Sequence, residues 1–482
     1  MSSTVLIVVD GIAEREEKQG NAFKQADTPN LDSIFQDREL LEAYGPAVGL
    51  PEGYQGNSEV GHLHLGAGRR VPQRLSRINN SIEDNEFGER EAVREAFQRA
   101  RENGSAVHLA GMISDGGIHS HIDHLKALIE TVPESVELKI HCFTDGRDVS
   151  PKSAKEYIEQ VQSWIEDRDA EIATVSGRYF SMDRDENWDR TRKAYNSMTE
   201  GEVFRYEKPE EAVEKAYRDG ENDYFIQPSA RKGFEGIEED DELVIFNFRA
   251  DRVRQITEAF LKQDFTEFDN SVRPNVTTMM RYRDDFENPV IFEKQEVENT
   301  LGEKIADRGL TQLRITESQK IPHVSYFFNG QRELQFDGEE REYVESDKIK
   351  SYDRKPEMHA DEITDILVDA IQEGEKDFIL INYPNGDLVG HTGDLEAAKK
   401  GLEAVDRNIG RVMEAADENG YSLVVTSDHG NSENVGTEDD PNTSHTLNPV
   451  PLAVYNSDLD VSEVVEEGEL WEVEKVVEKC LI

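Results

Sequence analysis

The run Gly56-Asn57-Ser58-Glu59-Val60-Gly61-His62 sets a small hydroxyl between glycines, with an acid and an imidazole as close neighbours. A serine so placed has what phosphoryl chemistry on a hydroxyl needs, although the same composition also occurs in ordinary turns. Asp10, Asp387, Asp428, His391, His429 and His445 add carboxylate and imidazole groups. This mixed oxygen and nitrogen set suits a divalent ion of intermediate hardness and not a thiolate site. Manganese fits best, with magnesium, cobalt or zinc as alternatives. Six such ligands exceed what one ion takes from protein while keeping a position open, so two ions are expected. A single acid in so acidic a chain could equally be a solvated surface carboxylate.

A second group of motifs is rich in arginine: Ser114-Asp115-Gly116-Gly117-Ile118-His119-Ser120-His121, Thr144-Asp145-Gly146-Arg147-Asp148, Gly177-Arg178-Tyr179-Phe180-Ser181-Met182-Asp183-Arg184 and Asn247-Phe248-Arg249-Ala250-Asp251-Arg252. Guanidinium groups match carboxylate and phosphate bidentately, so their recurrence reads as a pocket for a small, strongly anionic substrate. The alternative for each arginine is pairing with a neighbouring acid.

These residues must be carried by strands. Val5-Leu6-Ile7-Val8-Val9 is a continuous apolar run, the mark of a strand buried on both faces, and it ends in Asp10-Gly11. Phe378-Ile379-Leu380-Ile381 runs into Asn382, Asp387 and His391, and Leu423-Val424-Val425 runs into Thr426-Ser427-Asp428-His429-Gly430. Ligands gather at the carboxyl ends of strands in parallel sheets, so these acids and histidines are expected to converge with Ser58. The stretches 90–102, 153–167, 361–374 and 395–416 have helical spacing and alternate with the strands, which argues α/β layers.

With Gly49-Leu50-Pro51-Glu52-Gly53 through His62, then Gly66-Ala67-Gly68-Arg69, the chain resembles the cofactor-independent (2,3-bisphosphoglycerate-independent) phosphoglycerate mutases of the alkaline phosphatase superfamily. The resemblance continues through Asp387-Leu388-Val389-Gly390-His391, Ser444-His445-Thr446-Leu447-Asn448-Pro449, Gln312-Leu313-Arg314-Ile315, and His323-Val324-Ser325-Tyr326-Phe327-Phe328-Asn329-Gly330. Departures such as Ile12-Ala13-Glu14 after the first Asp-Gly, Tyr54-Gln55 and Ser318-Gln319 remove no ligand, nucleophile or arginine. The resemblance implies that Asp387, His391 and His445 hold one ion, and Asp10, Ser58, Asp428 and His429 the other. It assigns His119, Arg147, Asp148, Arg178, Arg184, Arg249 and Arg252 to phosphoglycerate, with Lys320 reaching in from the metal-bearing half. Ser58, Asp148 and Lys320 would be the catalytic residues: Ser58 takes the phosphoryl group and Asp148 moves protons at the glycerate hydroxyls. The implied reaction is interconversion of 3- and 2-phosphoglycerate in glycolysis and gluconeogenesis, without added bisphosphoglycerate. Another phosphomutase or phosphohydrolase on the same scaffold is the alternative.

The order of the motifs fixes an expected domain plan. The metal-site residues lie at both ends of the chain and the arginine motifs between them, so the chain must leave one domain and return. An alkaline-phosphatase-like α/β metal-binding domain of 1–72 and 297–482 with an inserted α/β transferase domain of 73–296 is expected, and hinge-type closure for each transfer.

Composition bounds the setting. With 102 acidic against 54 basic residues, the net charge is -48, which repels nucleic acid and anionic lipid. Self-repulsion of that size is screened at molar salt, where the Debye length falls to about 3 Å, so a halophilic, salt-rich cytosol is the simplest reading. Two cysteines, Cys142 and Cys480, make no disulfide framework and suit a reduced compartment. The start at Met1-Ser2-Ser3-Thr4 carries no leader-like basic region, and no apolar run approaches the ~20 residues of a membrane span. A cytoplasmic monomer acting on a small molecule, without nucleic-acid or membrane partners, is expected.

Overall fold

The computed structural model describes residues 3–199 and 203–481; Met1 and Ser2, part of the start read above, lie outside the described residues. Its contacts fall into two units, one of residues 1–73 with 295–482 and one of residues 74–294.

The first unit is built on a seven-stranded sheet. Its strands run in the order Glu339–Val344, Gln312–Glu317, Phe378–Tyr383, Ser3–Val9, Tyr421–Thr426, Val450–Tyr455, Glu39–Leu41. The first five are parallel, and Val450–Tyr455 runs antiparallel to both of its neighbours. Ser3–Val9 lies at the centre, and alternation along it divides the core. Val5, Ile7 and Val9 pack into one apolar layer with Ile363, Leu367 and Ile371 of the helix Ala360–Glu373, and with Leu402, Val405, Ile409 and Val412 of the helix Leu395–Asn419. Leu6 and Val8 face the other layer, with Val473, Val476 and Val477 of the helix Val473–Cys480 and Leu65 of the helix Ser58–Ala67. Both helical sets repeat at three- and four-residue spacing, one stripe toward the sheet. Each buried Val, Leu or Ile contributes roughly 1.5–3 kcal/mol, so the central strand is firmly anchored.

Register aligns the strand ends that carry chemistry. Val9 pairs with Tyr383 and Val8 with Thr426, so Asp10, the segment from Pro384 and Ser427-Asp428-His429 leave the sheet at one edge. Gly11 turns the chain there with φ +77°, and a Cβ on it would stand 2.6 Å from the Asp387 backbone. Only glycine fits that approach.

The second unit has an eight-stranded sheet in the order Val290–Phe292, Asn275–Met280, Glu242–Ile245, Val107–Met112, Leu138–Thr144, Ala170–Gly177, Ser229–Arg231, Phe204–Tyr206. All neighbours are parallel except Ala170–Gly177 with Ser229–Arg231. Helices such as Glu91–Asn103, Ile122–Thr131 and Ala154–Ile165 alternate with the parallel strands. Both units are therefore α/β. Among the described residues, no helix is long and apolar enough to cross a membrane.

Candidate active site

Ser58 opens the helix Ser58–Ala67, whose N-cap Asn57 accepts a hydrogen bond from Val60 N. That cap fixes the entry of the chain and puts the serine hydroxyl at the positive end of the helix. The next turn packs closely, because a Cβ at Gly61 would meet the Asp428 carbonyl oxygen at 2.4 Å. Ser58 is buried and its Oγ has three polar neighbours: Lys320 Nζ at 2.6 Å, His429 Nε2 at 2.9 Å and Asp10 Oδ1 at 3.4 Å.

Lys320 ends the short turn Ser318–Lys320 and is followed by a π-helical segment, His323–Phe327, an uncommon geometry that re-aims side chains. Its Nζ lies 2.9 Å from Asp10 Oδ2 and 2.8 Å from Asp387 Oδ2. Burial opposes its charge, but Asp10, Asp387 and Asp428 outweigh burial and hold the ammonium above the ordinary lysine range. Asp387 responds in kind. Burial works against its ionisation, yet Lys320, His391 and His445 hold the carboxyl well below the usual carboxylate range.

Two clusters flank the serine. In Asp387, His391 and His445, and again in Asp10, Asp428 and His429, the ligand atoms lie within 4.8 Å of one another. His391 Nε2 and His445 Nε2 are 3.1 and 3.3 Å from Asp387 Oδ1. The Nδ1 atoms of His391, His445 and His429 face the backbone carbonyls of Thr443, Gly56 and Gly430 at 2.7, 2.8 and 3.3 Å. An Nδ1–H donated to a carbonyl leaves the Nε2 lone pair for the carboxylate side, which is how metal-ligating imidazoles are held. Asp428 Oδ2 is buried without a hydrogen bond. Convergent lone pairs and an orphaned carboxylate oxygen fit divalent metal ions at both clusters. All the residues read from the sequence as ligands are thus brought together around Ser58.

The second unit gathers its own cluster. Asp145 follows the strand Leu138–Thr144 and organises it: Oδ2 accepts from Ser114 Oγ at 2.8 Å, and Oδ1 from the N–H groups of Arg147 and Asp148 and from Arg178 Nη1 at 2.5 Å. Arg178, buried, also bonds Asp148 Oδ2 at 2.6 Å and lies 3.0 Å from His119 Nε2. Burial, then the Arg178 charge, pushes His119 down to about 4, so it is neutral and accepts. Asp251 collects Arg184 at 2.8 Å and Arg249 at 3.2 Å, and its Oδ1 is 3.7 Å from His119 Nδ1. Arg252 donates to the Met182 carbonyl at 3.4 Å. Arg147 differs: its backbone is bonded to Asp145 while its side chain is exposed. Arg178, Arg184 and Arg249 thus pair with acids of their own unit, whereas Arg252 bonds a backbone carbonyl.

Several residues at these centres had no role in the sequence reading. Asn382 Nδ2 donates to Asp10 Oδ2 at 2.8 Å, His62 Nδ1 is 3.2 Å from Asp428 Oδ2, and Asn431 Nδ2 donates to Asp387 Oδ1 at 3.0 Å. Asp145 and Asp251 hold arginines. The available signal was position, since Asn382 interrupts an apolar strand and His62 follows the serine by one helical turn. Lys320, expected to reach toward phosphoglycerate, contacts the serine and the carboxylates.

Residues 2–481 match the metalloenzyme superfamily. A Methanosarcina acetivorans protein named 2,3-bisphosphoglycerate-independent phosphoglycerate mutase 1 is 47% identical over 469 residues, 94% of this chain and 91% of that one. A Staphylococcus epidermidis protein named 2,3-bisphosphoglycerate-independent phosphoglycerate mutase is 42% identical over 476 residues, 97% of this chain and 94% of its own length. Among solved structures, Leishmania mexicana phosphoglycerate mutase, crystallised at low cobalt concentration, matches with a TM-score of 0.67 and 31% identity, covering 100% of this chain and 95% of that one.

Proposed function

The chain belongs to the 2,3-bisphosphoglycerate-independent phosphoglycerate mutases of the metalloenzyme superfamily, and from that premise we propose that it interconverts 3- and 2-phosphoglycerate through a phosphoserine at Ser58. The observation that carries the reading is the buried Ser58 hydroxyl, 2.6 Å from a lysine ammonium and set between two clusters of convergent ligands.

Asp387, His391 and His445, and separately Asp10, Ser58, Asp428 and His429, would hold two divalent ions, manganese by donor hardness, whose chemistry when bound is to lower the proton affinity of the serine hydroxyl and offset phosphoryl charge. Ser58 Oγ attacks the substrate phosphorus as the bond to the glycerate oxygen breaks, and Asp148 protonates that departing oxygen. The Ser58 hydroxyl proton passes to solvent before attack, the Lys320 ammonium donates to the resulting Oγ alkoxide and steadies its charge, and Ser58 Oγ leaves the phosphorus as that same alkoxide in the second transfer. Arg178, Arg184, Arg249 and Arg252, with His119 and Arg147, retain the freed glycerate by its carboxylate. In the second transfer the other glycerate hydroxyl returns its proton to Asp148 and attacks the phosphoserine phosphorus, and Ser58 Oγ leaves. In this reading the enzyme works as a monomer in the glycolytic direction and its reverse, in a salt-rich cytoplasm.

The test is an enolase-coupled assay on protein dialysed against EDTA, with no bisphosphoglycerate added. Activity absent after dialysis and restored by manganese supports both parts of the reading. Full activity in EDTA removes the metal part, and no coupled rate with manganese removes the mutase part.

A further inference from the structure

His62 and Asn382 lie between the two carboxylates beside the nucleophile, and Asn382 bonds one of them. Asp10 Oδ2 is a carboxylate oxygen and can only accept, so the Asn382 atom 2.8 Å away is the amide nitrogen. The same Nδ2 is 3.1 Å from His62 Nε2, which must therefore offer its lone pair. The His62 proton then sits on Nδ1 and is donated to the Ser58 carbonyl at 2.9 Å, while Asp428 Oδ2, 3.2 Å from Nδ1, keeps its lone pairs free of a hydrogen bond. Every donor meets an acceptor in one direction around this chain, and His62 and Asn382 are both buried.

We propose that His62 is a positioning residue for the Asp10, Asp428 and His429 cluster: its Nε2 lone pair fixes the Asn382 amide, which engages Asp10 Oδ2 and leaves Oδ1 facing Ser58 and His429. The geometry on the other side agrees, since Asp10 Oδ1 is 3.4 Å from both Ser58 Oγ and His429 Nε2. Side chains that orient ligands in this way set metal affinity as well as turnover. The inference rests on the proposed reading of this cluster as a metal site.

The two amide replacements for histidine separate the ring nitrogens. His62→Gln places an acceptor near the Nε2 position, whereas His62→Asn keeps a donor near Nδ1 and removes the partner of Asn382. Manganese dissociation constants, measured on the full chain by electron paramagnetic resonance, are expected to weaken roughly 10–100-fold in His62→Asn, with most of the loss recovered in His62→Gln. Asn382→Ala is expected to match His62→Asn, and the double variant to be no worse than either single one, because one connection is being cut. Asn382→Ala alone carries the test should His62→Asn fail to fold. Equal losses in His62→Asn and His62→Gln, parental affinity in Asn382→Ala, or additive losses in the double variant would overturn the proposal. A parent protein that binds no manganese would instead remove the metal-site reading beneath it.

Discussion

Lys320 Nζ stands 2.6 Å from Ser58 Oγ, closer than any other polar atom to this hydroxyl, on a side chain that is itself almost wholly buried. Its charge is the fixed cation among Asp10, Asp387 and Asp428. Lys320→Met should therefore remove one of the two cations, the other being protonated His429, that balance three buried carboxylates in the metal-free protein. Removing one partner of a buried ionic group typically costs about 3–5 kcal/mol, and that cost should appear in urea unfolding of the metal-free protein. With manganese added the deficit should shrink, because the ions supply the missing positive charge. Equal destabilisation in both states would show that the lysine matters for packing and not for charge.

Ser58→Ala should fold, since the cap of its helix is Asn57 and not the serine. Mutase turnover should fall by at least 10³-fold, as expected when a covalent nucleophile is lost. Mass spectrometry of parent protein quenched with substrate should place phosphate on the Ser58 peptide. Phosphate repeatedly absent from that peptide in an active preparation counts against the mechanism.

Acidification should weaken the fold before carboxylates titrate. Burial pushes His64 down to about 4 and His124 down to about 3, the latter with help from His121, and burial with His108 holds His141 well below 6.5. A depressed folded pKa means that the unfolded chain takes up the proton first. Stability is then fully present above about 6.5 and lost as pH falls toward the folded values, by roughly 3 kcal/mol for a 2.5-unit shift. His429 runs the other way in metal-free protein: against burial, Asp428, Asp10 and Asp387 carry it up to about 10, so its contribution is present below 6.5 and fades as pH rises through 10. His124→Gln keeps a donor for Asn79 Oδ1, which His124 Nε2 meets at 2.8 Å. Urea midpoints at pH 7 and pH 5 should therefore differ less in that variant than in the parent. An unchanged difference would mean that other groups govern the acid limb.

How much of this was legible in the sequence depends on the kind of residue. Val5 to Val9 reads as a buried strand because every position is apolar, and the strand is Ser3–Val9. The stretch 90–102 reads as a helix from its apolar spacing, and the helix is Glu91–Asn103. Glu339–Val344, by contrast, is largely charged and gives no apolar signal; pairing with Gln312–Glu317 makes it a strand. Val450–Tyr455 runs antiparallel on a largely parallel sheet, and only its partners reveal that direction. In the site, Asp10 and Asp428 stand out by following apolar runs. Asn382 and Asp145 also lie at strand ends, but their roles, like that of His62, are defined by the side chains they touch, and local sequence carries no trace of a partner 320 positions away, as between His62 and Asn382.

The second unit's cluster should show its job by what happens to phosphate. If it retains glycerate between transfers, Arg147→Ala or Asp148→Asn leaves the phosphoserine waiting without its acceptor, open to water. Malachite-green phosphate release measured beside the enolase-coupled rate should then give a higher ratio of hydrolysis to mutase product than in the parent, even as total turnover falls. A constant ratio with both rates falling would place the role of these residues before the first transfer.

The charge of -48 should make the protein respond to salt. Raising potassium chloride from low to molar concentration should raise both the thermal midpoint and the activity as surface repulsion is screened. Surface ion pairs such as Lys232 with Glu207 and Lys215 with Asp219 oppose this trend, since salt weakens them. A calorimetric midpoint flat across the range would mean that such pairs absorb the charge, and the salt-rich setting would no longer follow.

The central position of Ser3–Val9 has a consequence during synthesis. Its sheet neighbours are Phe378–Tyr383 and Tyr421–Thr426, so this segment pairs with segments made several hundred residues after it. At 5–20 residues per second the ribosome leaves this apolar strand without its partners for some tens of seconds. Residues 74–294 form a contiguous unit that can complete in that interval, while the strand waits exposed and open to misassociation. Refolding of the isolated chain should therefore be limited by this late closure and prone to aggregation, a burden placed on the cell's holding chaperones by the same strand that carries Asp10 to the cluster beside Ser58.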